Sequence, residues 1–315
     1  MDKPQPVRYD LVKAILPTPH FDKLTALLNN PRLPTSDKAK VEIAIEKYNE
    51  WIAKMDVNHP GNRVHVDELV RVTNEYKKYI ELDLIFDSEH DFLYRQKGQI
   101  KLDNSILEEF LPHLFIKALT LPKGEYEVGP RKTFAGLRFN SSISTAQSNL
   151  QTSVRLKDQD FILGTNLFIS TSVNENFEDA EIVETYIGYV CAECKTNLDK
   201  TMFQEAVATS RDLKMAVPSS LYFLVCDYLD MTPQSITNTH IDEVLILRKS
   251  KRLSASIRQK YRTTADRANN RDEYVSFIDS SQYSPDVFLR MIDKTQTLID
   301  QSDPSTEDVI AEGHF

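Results

Sequence analysis

Glu193 and Lys195 sit where a strand would normally bury its side chains. They fall in the stretch 186–206, YIGYVCAECKTNLDKTMFQEA, which begins as an apolar, β-prone run and ends with helical spacing. Residues two apart on a strand project to the same side, about 6.5 Å from one another along the chain. A carboxylate and an ammonium would therefore leave one face of a sheet together. The same spelling at Glu75–Lys77 and Asp212–Lys214 lies in helix-like stretches and reads as surface charge.

A partner strand gives the pair its weight. The segment 160–173, DFILGTNLFISTSV, and the segment 180–195, AEIVETYIGYVCAECK, are rich in β-branched and aromatic residues, and the polar loop NENFED joins them. Taking Val173 opposite Ala180 in an antiparallel hairpin sets Asp160 opposite Glu193. Directly opposed residues have Cβ atoms about 4.5–5.5 Å apart. Two carboxylates that close repel unless something positive lies between them. A hard divalent cation is the natural occupant, and Mg²⁺ takes one or two carboxylates plus substrate phosphate oxygens and water. A register slip of two would put Asp158 in the place of Asp160.

The elements that must position these groups can be read from hydrophobic spacing. The first third is helical: SDKAKVEIAIEKYNEWIAKM places Val41, Ala44, Ile45, Tyr48, Ile52 and Met55 on one face. VDELVRVTNEYKKYIELDLIF and DNSILEEFLPHLFIKALTL repeat the pattern, and NHPGNR and LPKGEYEVGP mark turns. After the hairpin come a helix, LDKTMFQEAVATSRDLK, a continuous apolar strand, SLYFLVCDYL, and a further strand, DEVLILRKS. Strand, helix and strand in that order imply a parallel pair with a right-handed crossover. SPDVFLRMIDKTQTLI adds a helix with Ser284 as cap and Pro285 at its first position. These divisions give an α/β chain with a helical N-terminal region at 1–125 and a core at 126–250. A basic and helical C-terminal region with an acidic tail fills 251–315.

Composition bounds the function. The 315 residues carry a formal net charge of −9, so any nucleic-acid surface must be local. The segment 248–271 holds nine Lys or Arg and one acid. Within it Arg248, Lys249, Lys251, Arg252, Arg258, Lys260 and Arg262 are candidates for phosphate contact. Arg131, Lys132 and Arg138 form a second, smaller group beside turn residues. Eight glycines without a Gly-rich phosphate loop argue against a nucleotide-binding enzyme. Cys191 and Cys194 lack a second ligand pair for zinc and, with Cys226, read as small buried thiols. Three free thiols, an N-terminus without an apolar core and no run long enough to span a bilayer indicate a cytosolic protein that does not enter membranes.

The acid leading an apolar strand in DQDFILG, the hairpin, and then AECKTNLDKTMFQEA resemble the core of the PD-(D/E)XK nucleases, with Gln159 standing where the family name has proline. More narrowly, CKTNLDKTMFQEA, VPSSLYFLVCDYLDMTP and DLIFDSEHDFLYRQKGQIKLDNSILEEFLPHLF are similar to type II restriction endonucleases of the BbvCI kind. The resemblance implies a mixed central sheet flanked by helices and Mg²⁺-dependent cutting of double-stranded DNA at a short asymmetric site, in restriction defence within a bacterial-type cytosol. It implies that Asp160 and Glu193 hold the metal with the Cys194 carbonyl, and that Lys195 positions or deprotonates the attacking water. Lys200 and Gln204 would lie on the following helix and could face the site, and Glu109 would be an extra acid from the helix before the core. One such core in the chain implies one strand cut per chain, in a dimer with a related subunit or with itself. A structure-specific repair nuclease and a non-catalytic DNA-binding module are the competing readings.

Overall fold

The computed structural model describes residues 16–56, 62–140, 142–144, 152–178, 180–301 and 305–313. Helices α1 (Pro19–Leu28), α2 (Thr35–Met55), α3 (Asn62–Lys78), α4 (Asp91–Ile100) and α5 (Leu102–Ala118) build the N-terminal part. Val41, Ala44, Tyr48, Trp51 and Met55 of α2 are buried at steps of three and four, the spacing that makes one helical stripe. Trp51 stacks on Tyr76 of α3 with centroids 4.7 Å apart. The end of α3 widens into a π-helical turn, Tyr79–Phe86. Helix α5 is different: nearly every residue from Leu102 to Phe115 is buried, so it is the central post of the helical part.

Five strands follow: β1 (Glu127–Phe139), β2 (Thr152–Thr171), β3 (Glu181–Leu198), β4 (Leu221–Leu229) and β5 (Glu243–Lys251), ordered β1-β2-β3-β4-β5. The first three are antiparallel neighbours, and β3, β4 and β5 run parallel. Helix α6 (Lys200–Ala216) makes the β3-to-β4 crossover, its N-terminus capped by the Asp199 carboxylate on the Met202 amide. The short helices α7 (Ala255–Gln259) and α8 (Thr264–Asn269) precede α9 (Arg271–Ser280), α10 (Pro285–Gln301) and α11 (Thr306–Glu312). This is the mixed sheet flanked by helices that the sequence implied. No described helix is long and apolar enough to cross a membrane.

The sheet separates two cores. Phe161, Leu163, Ala192, Cys194, Phe223 and Val225 point toward the N-terminal helices and α10. Ile162, Cys191, Tyr222, Leu224 and Cys226 point toward α6. All three thiols are buried and free. Phe161 packs its ring 4.5 Å from that of Phe115 on α5. A fully buried phenylalanine contributes about 1.5–3 kcal/mol, and this one fixes β2 beside Asp160.

The hairpin register has two parts. Near the site, Phe161 pairs with Ala192 and Ile162 with Cys191, the pairing that the Val173–Ala180 alignment requires. Nearer the loop, Thr171 pairs with Glu181, one step off, because a bulge at Leu163/Gly164 absorbs a residue. A Cβ at Gly164 would stand 2.1 Å from the Ile187 carbonyl oxygen, so this close approach of backbones requires glycine. On the other side of β2 the β1 ladder slips between Gly129 and Arg131. Pro130 occupies that slip and has no amide to offer a ladder. β2 also coils: Thr171 Oγ1 donates to Thr152 Oγ1 at 3.0 Å, across nineteen positions that would span roughly 60 Å if extended.

Of the two acid-x-Lys spellings that read as surface charge, each has one interior member, Lys77 and Asp212, while Glu75 is exposed. Lys77, 1% exposed, lies 3.1 Å from Asp227 and 3.3 Å from Glu81. Arg248 completes this group, 2.6 Å from Glu81 and 3.5 Å from Asp227, with the Tyr283 hydroxyl donating to Asp227. The group ties α3 and its π-helical turn to β4 and β5. Asp212 is buried on α6 against Arg155 and Lys157 of β2.

Candidate active site

Asp160, Glu193 and Lys195 emerge on one face of the sheet, the face toward α6. Strand alternation requires it: Asp160 shares parity with Ile162, and Glu193 and Lys195 share parity with Cys191, both in the α6-side core. Lys195 Nζ lies 2.7 Å from Glu193 Oε1, and the Tyr222 hydroxyl donates to Glu193 Oε2 at 2.8 Å. Asp160 Oδ2 accepts the Cys194 amide at 2.8 Å, beyond the end of the β2–β3 ladder. The Cys194 carbonyl accepts from Asn104 Nδ2 at 3.0 Å, and the same amide group also donates to Glu108 Oε1 at 3.1 Å. Thus α5 reaches into the site through Asn104 and Glu108, with Lys23 of α1 3.5 Å from Glu108.

The electrostatics follow from this crowding. Burial pushes the Asp160 carboxyl above its ordinary value, and Glu108 and Glu193 add to the push against the Cys194 amide and Lys195. Burial works against the Lys195 ammonium, but Glu193 and Asp160 outweigh it and hold its pKa above the usual lysine value. Asp158, by contrast, is exposed beside Lys132 at 3.9 Å, on the rung facing β1.

Several expectations change. Glu109 faces away from this cluster. It is fully buried, accepting the amides of His20 and Phe21 and the Tyr48 hydroxyl, and burial raises its pKa to about 7. Its neighbour Glu108 is the α5 acid beside Asp160. Lys200 and Gln204 are exposed on α6 and do not line the cleft described next. Asn104, Glu108 and Tyr222 carried no sequence signal of their own.

A cleft of about 500 Å³ opens at Asp160, Cys194 and Lys195. Arg252 and Arg258 from the basic segment line it, as does Lys101. That segment is not the uniformly free surface its composition suggested. Arg248 must be removed from the DNA-facing candidates, because it is 5% exposed and neutralised inside the network with Glu81 and Asp227. Lys249 pairs with Asp286, Arg252 with Asp230 and Lys260 with Glu273, all at the surface. Lys251, Arg258 and Arg262 have no acidic partner among the described residues. On the β1 side, Arg131 pairs with Glu127 and lies over the Tyr186 ring, Lys132 faces Asp158, and Arg138 is exposed.

A mixed sheet with acids at the divergence of an antiparallel hairpin and a parallel crossover is the architecture of restriction-endonuclease-like proteins. A chain from native BbvCI, solved as an A2B2 tetramer, matches this fold with a TM-score of 0.54 at 18% identity, covering 76% of this chain and 86% of that one. The Bpu10I restriction endonuclease family matches residues 99–315, and the chain belongs to that family. No curated protein matches it.

Proposed function

We propose that this restriction endonuclease hydrolyses phosphodiester bonds of double-stranded DNA with Mg²⁺, one strand per chain, at a short asymmetric site. The observation that carries the proposal is that Asp160 and Lys195 line a cleft, with Glu193 bonded to Lys195 on the same sheet face. The cleft also holds Lys101 and Arg258, which have no acidic partner among the described residues. Among the described residues no group of three or more His, Cys, Asp or Glu side chains forms a metal cage. A two-carboxylate site is nonetheless ordinary for Mg²⁺, which completes its shell with phosphate oxygens and water. The donors present are hard oxygens, and the buried Asp160 carboxyl, its charge disfavoured by neighbouring acids, is a group that a cation would satisfy.

Asp160 and Glu193 would hold the ion, with the Cys194 carbonyl as a further oxygen. When bound, Mg²⁺ supplies positive charge to the phosphoryl oxygens and acidifies water. Lys195, kept protonated by its acids, orients the nucleophile and offsets charge at phosphorus rather than serving as the base. Lys251, Arg258 and Arg262 would grip phosphates, and Arg131, Lys132 and Arg138 would approach from the β1 side. The two kinds of chain in the BbvCI assembly support pairing with a related, non-identical subunit, with a homodimer as the alternative.

Incubation of a plasmid with Mg²⁺, with the chain alone and with a companion subunit, tests this. Discrete fragments from the pair and nicked circles from the lone chain are the expected result. Unspecific degradation, or cutting that survives Lys195→Ala, refutes the site.

A further inference from the structure

Phosphate contact does not explain the composition of the cleft. Beside the acids and cations it is lined by Tyr94, Tyr228, Tyr261, Tyr274 and Phe277. These rings are held in place. Tyr274 stacks on Phe86 at 3.9 Å, Tyr261 meets Phe86 edge-on at 5.3 Å, and Phe277 stacks on Tyr228 at 5.6 Å. Arg267, buried against the Phe86 carbonyl and Asp91, sets its guanidinium 4.7 Å from the Tyr94 ring.

Two buried polar groups on this lining lack partners. Tyr261 is 1% exposed and its hydroxyl makes no hydrogen bond. Oε2 of Glu81 is likewise buried and unbonded, while Oε1 is taken by Arg248. A buried group left unsatisfied costs about 1–3 kcal/mol, so both point to a ligand. Phosphates are met by cations and amide N–H groups, whereas aromatic walls suit a flat, unstacked ring. The volume, about 500 Å³, lies in the range of small-ligand pockets. Lys101 and Arg258, without acidic partners among the described residues, line the same space.

We infer that the cleft receives one nucleobase turned out of the duplex beside the scissile phosphate. The base lies among the tyrosine and phenylalanine rings, and the Tyr261 hydroxyl and Glu81 Oε2 bond its edge. The carboxylate oxygen selects a base with an amino group to donate. Lys101 and Arg258 take the flanking phosphates. This rests on the endonuclease reading and extends it to how the strand is presented.

The test begins by mapping the cut position with the wild-type chain, alone and with its companion subunit. Binding of the Lys195→Ala chain, in the same assembly, is then measured on duplexes carrying one mismatch at each successive position around the cut. Extruding a base already unpaired costs less. One position should therefore bind about tenfold more tightly than the matched duplex, the equivalent of ~1.4 kcal/mol. 2-Aminopurine placed there should change its fluorescence on binding, and nowhere else as strongly. Tyr261→Phe, which keeps the ring, should weaken binding to the matched duplex about fivefold and leave an abasic duplex unaffected. DNA that is cut with every mismatch neutral or weakening overturns the inference alone. DNA that is never cut removes the endonuclease reading and the inference with it.

Discussion

Two clusters of acids and cations lie close together in this molecule, and their charge counts differ. The interior group balances Lys77 and Arg248 against Glu81 and Asp227, all with side chains at most 7% exposed. The cleft group sets Asp160, Glu193 and Glu108 against Lys195 and Lys23, with the Glu193 and Lys195 side chains 19% and 26% exposed. The first is neutral, as a buried ionic group must be to avoid an uncompensated charge, with Glu81 Oε2 left over at the cleft wall. The second, counted over these five side chains, has one acid more than its cations, and it opens to solvent. Under the proposed function, that excess at an accessible position is what a divalent cation would correct, and the interior group has none to correct.

The contrast can be broken from either side. Lys195→Ala should lower the single-turnover cutting rate by on the order of 10³-fold while DNA binding, followed by gel shift, persists. A rate within tenfold of wild type would make the cleft group another strut. Arg248→Met leaves two buried carboxylates with one cation and should cost about 3 kcal/mol or more of stability in urea unfolding. A small change would mean that the interior group does not need its charge balance. Glu109→Gln probes a buried acid outside both groups. Its folded pKa of about 7 lies above its ordinary 4.5, so its stabilising effect is complete below 4.5 and disappears as pH rises through 7. Relative to the variant, wild type should lose up to about 3 kcal/mol across that window. His20, held neutral by burial, works in the opposite sense as pH falls, in both proteins alike. Glu108→Gln brings these five side chains to parity and should raise the Mg²⁺ needed for half-maximal rate on the order of tenfold. The smallest effect belongs to the surface: Lys251→Gln, Arg258→Gln and Arg262→Gln should each reduce the salt dependence of DNA binding by about one unit of slope. Lys260→Gln, whose charge Glu273 already answers, should reduce it less.

The sheet was legible in the sequence because strands alternate and because a fully buried strand such as β4 shows no polar interruption. The meeting of Asp160 and Glu193 on one face was also legible, although the loop-end register was not, since the bulge at Gly164 leaves only a glycine as its mark. The choice between Glu108 and Glu109 was illegible for a physical reason. A helix buried on almost every side, as α5 is, has no polar stripe to say which carboxylate faces which core. The basic segment misled differently. Its charges are countable, but the acids that answer them, Glu81, Asp87, Asp91 and Asp230, come from other parts of the chain. Only the fold brings them together.

One consequence follows from how β2 is shared. β1 accompanies it from Thr152 to Gly164, but β3 joins only from Phe161 onward, so Asp160 stands at the seam. A residue inserted among 152–159 would lengthen the arm that pairs with β1 alone and leave the acid facing its partners. One inserted among 161–163 would turn it to the opposite side. The arm can therefore change length while Asp160 keeps its facing at the seam.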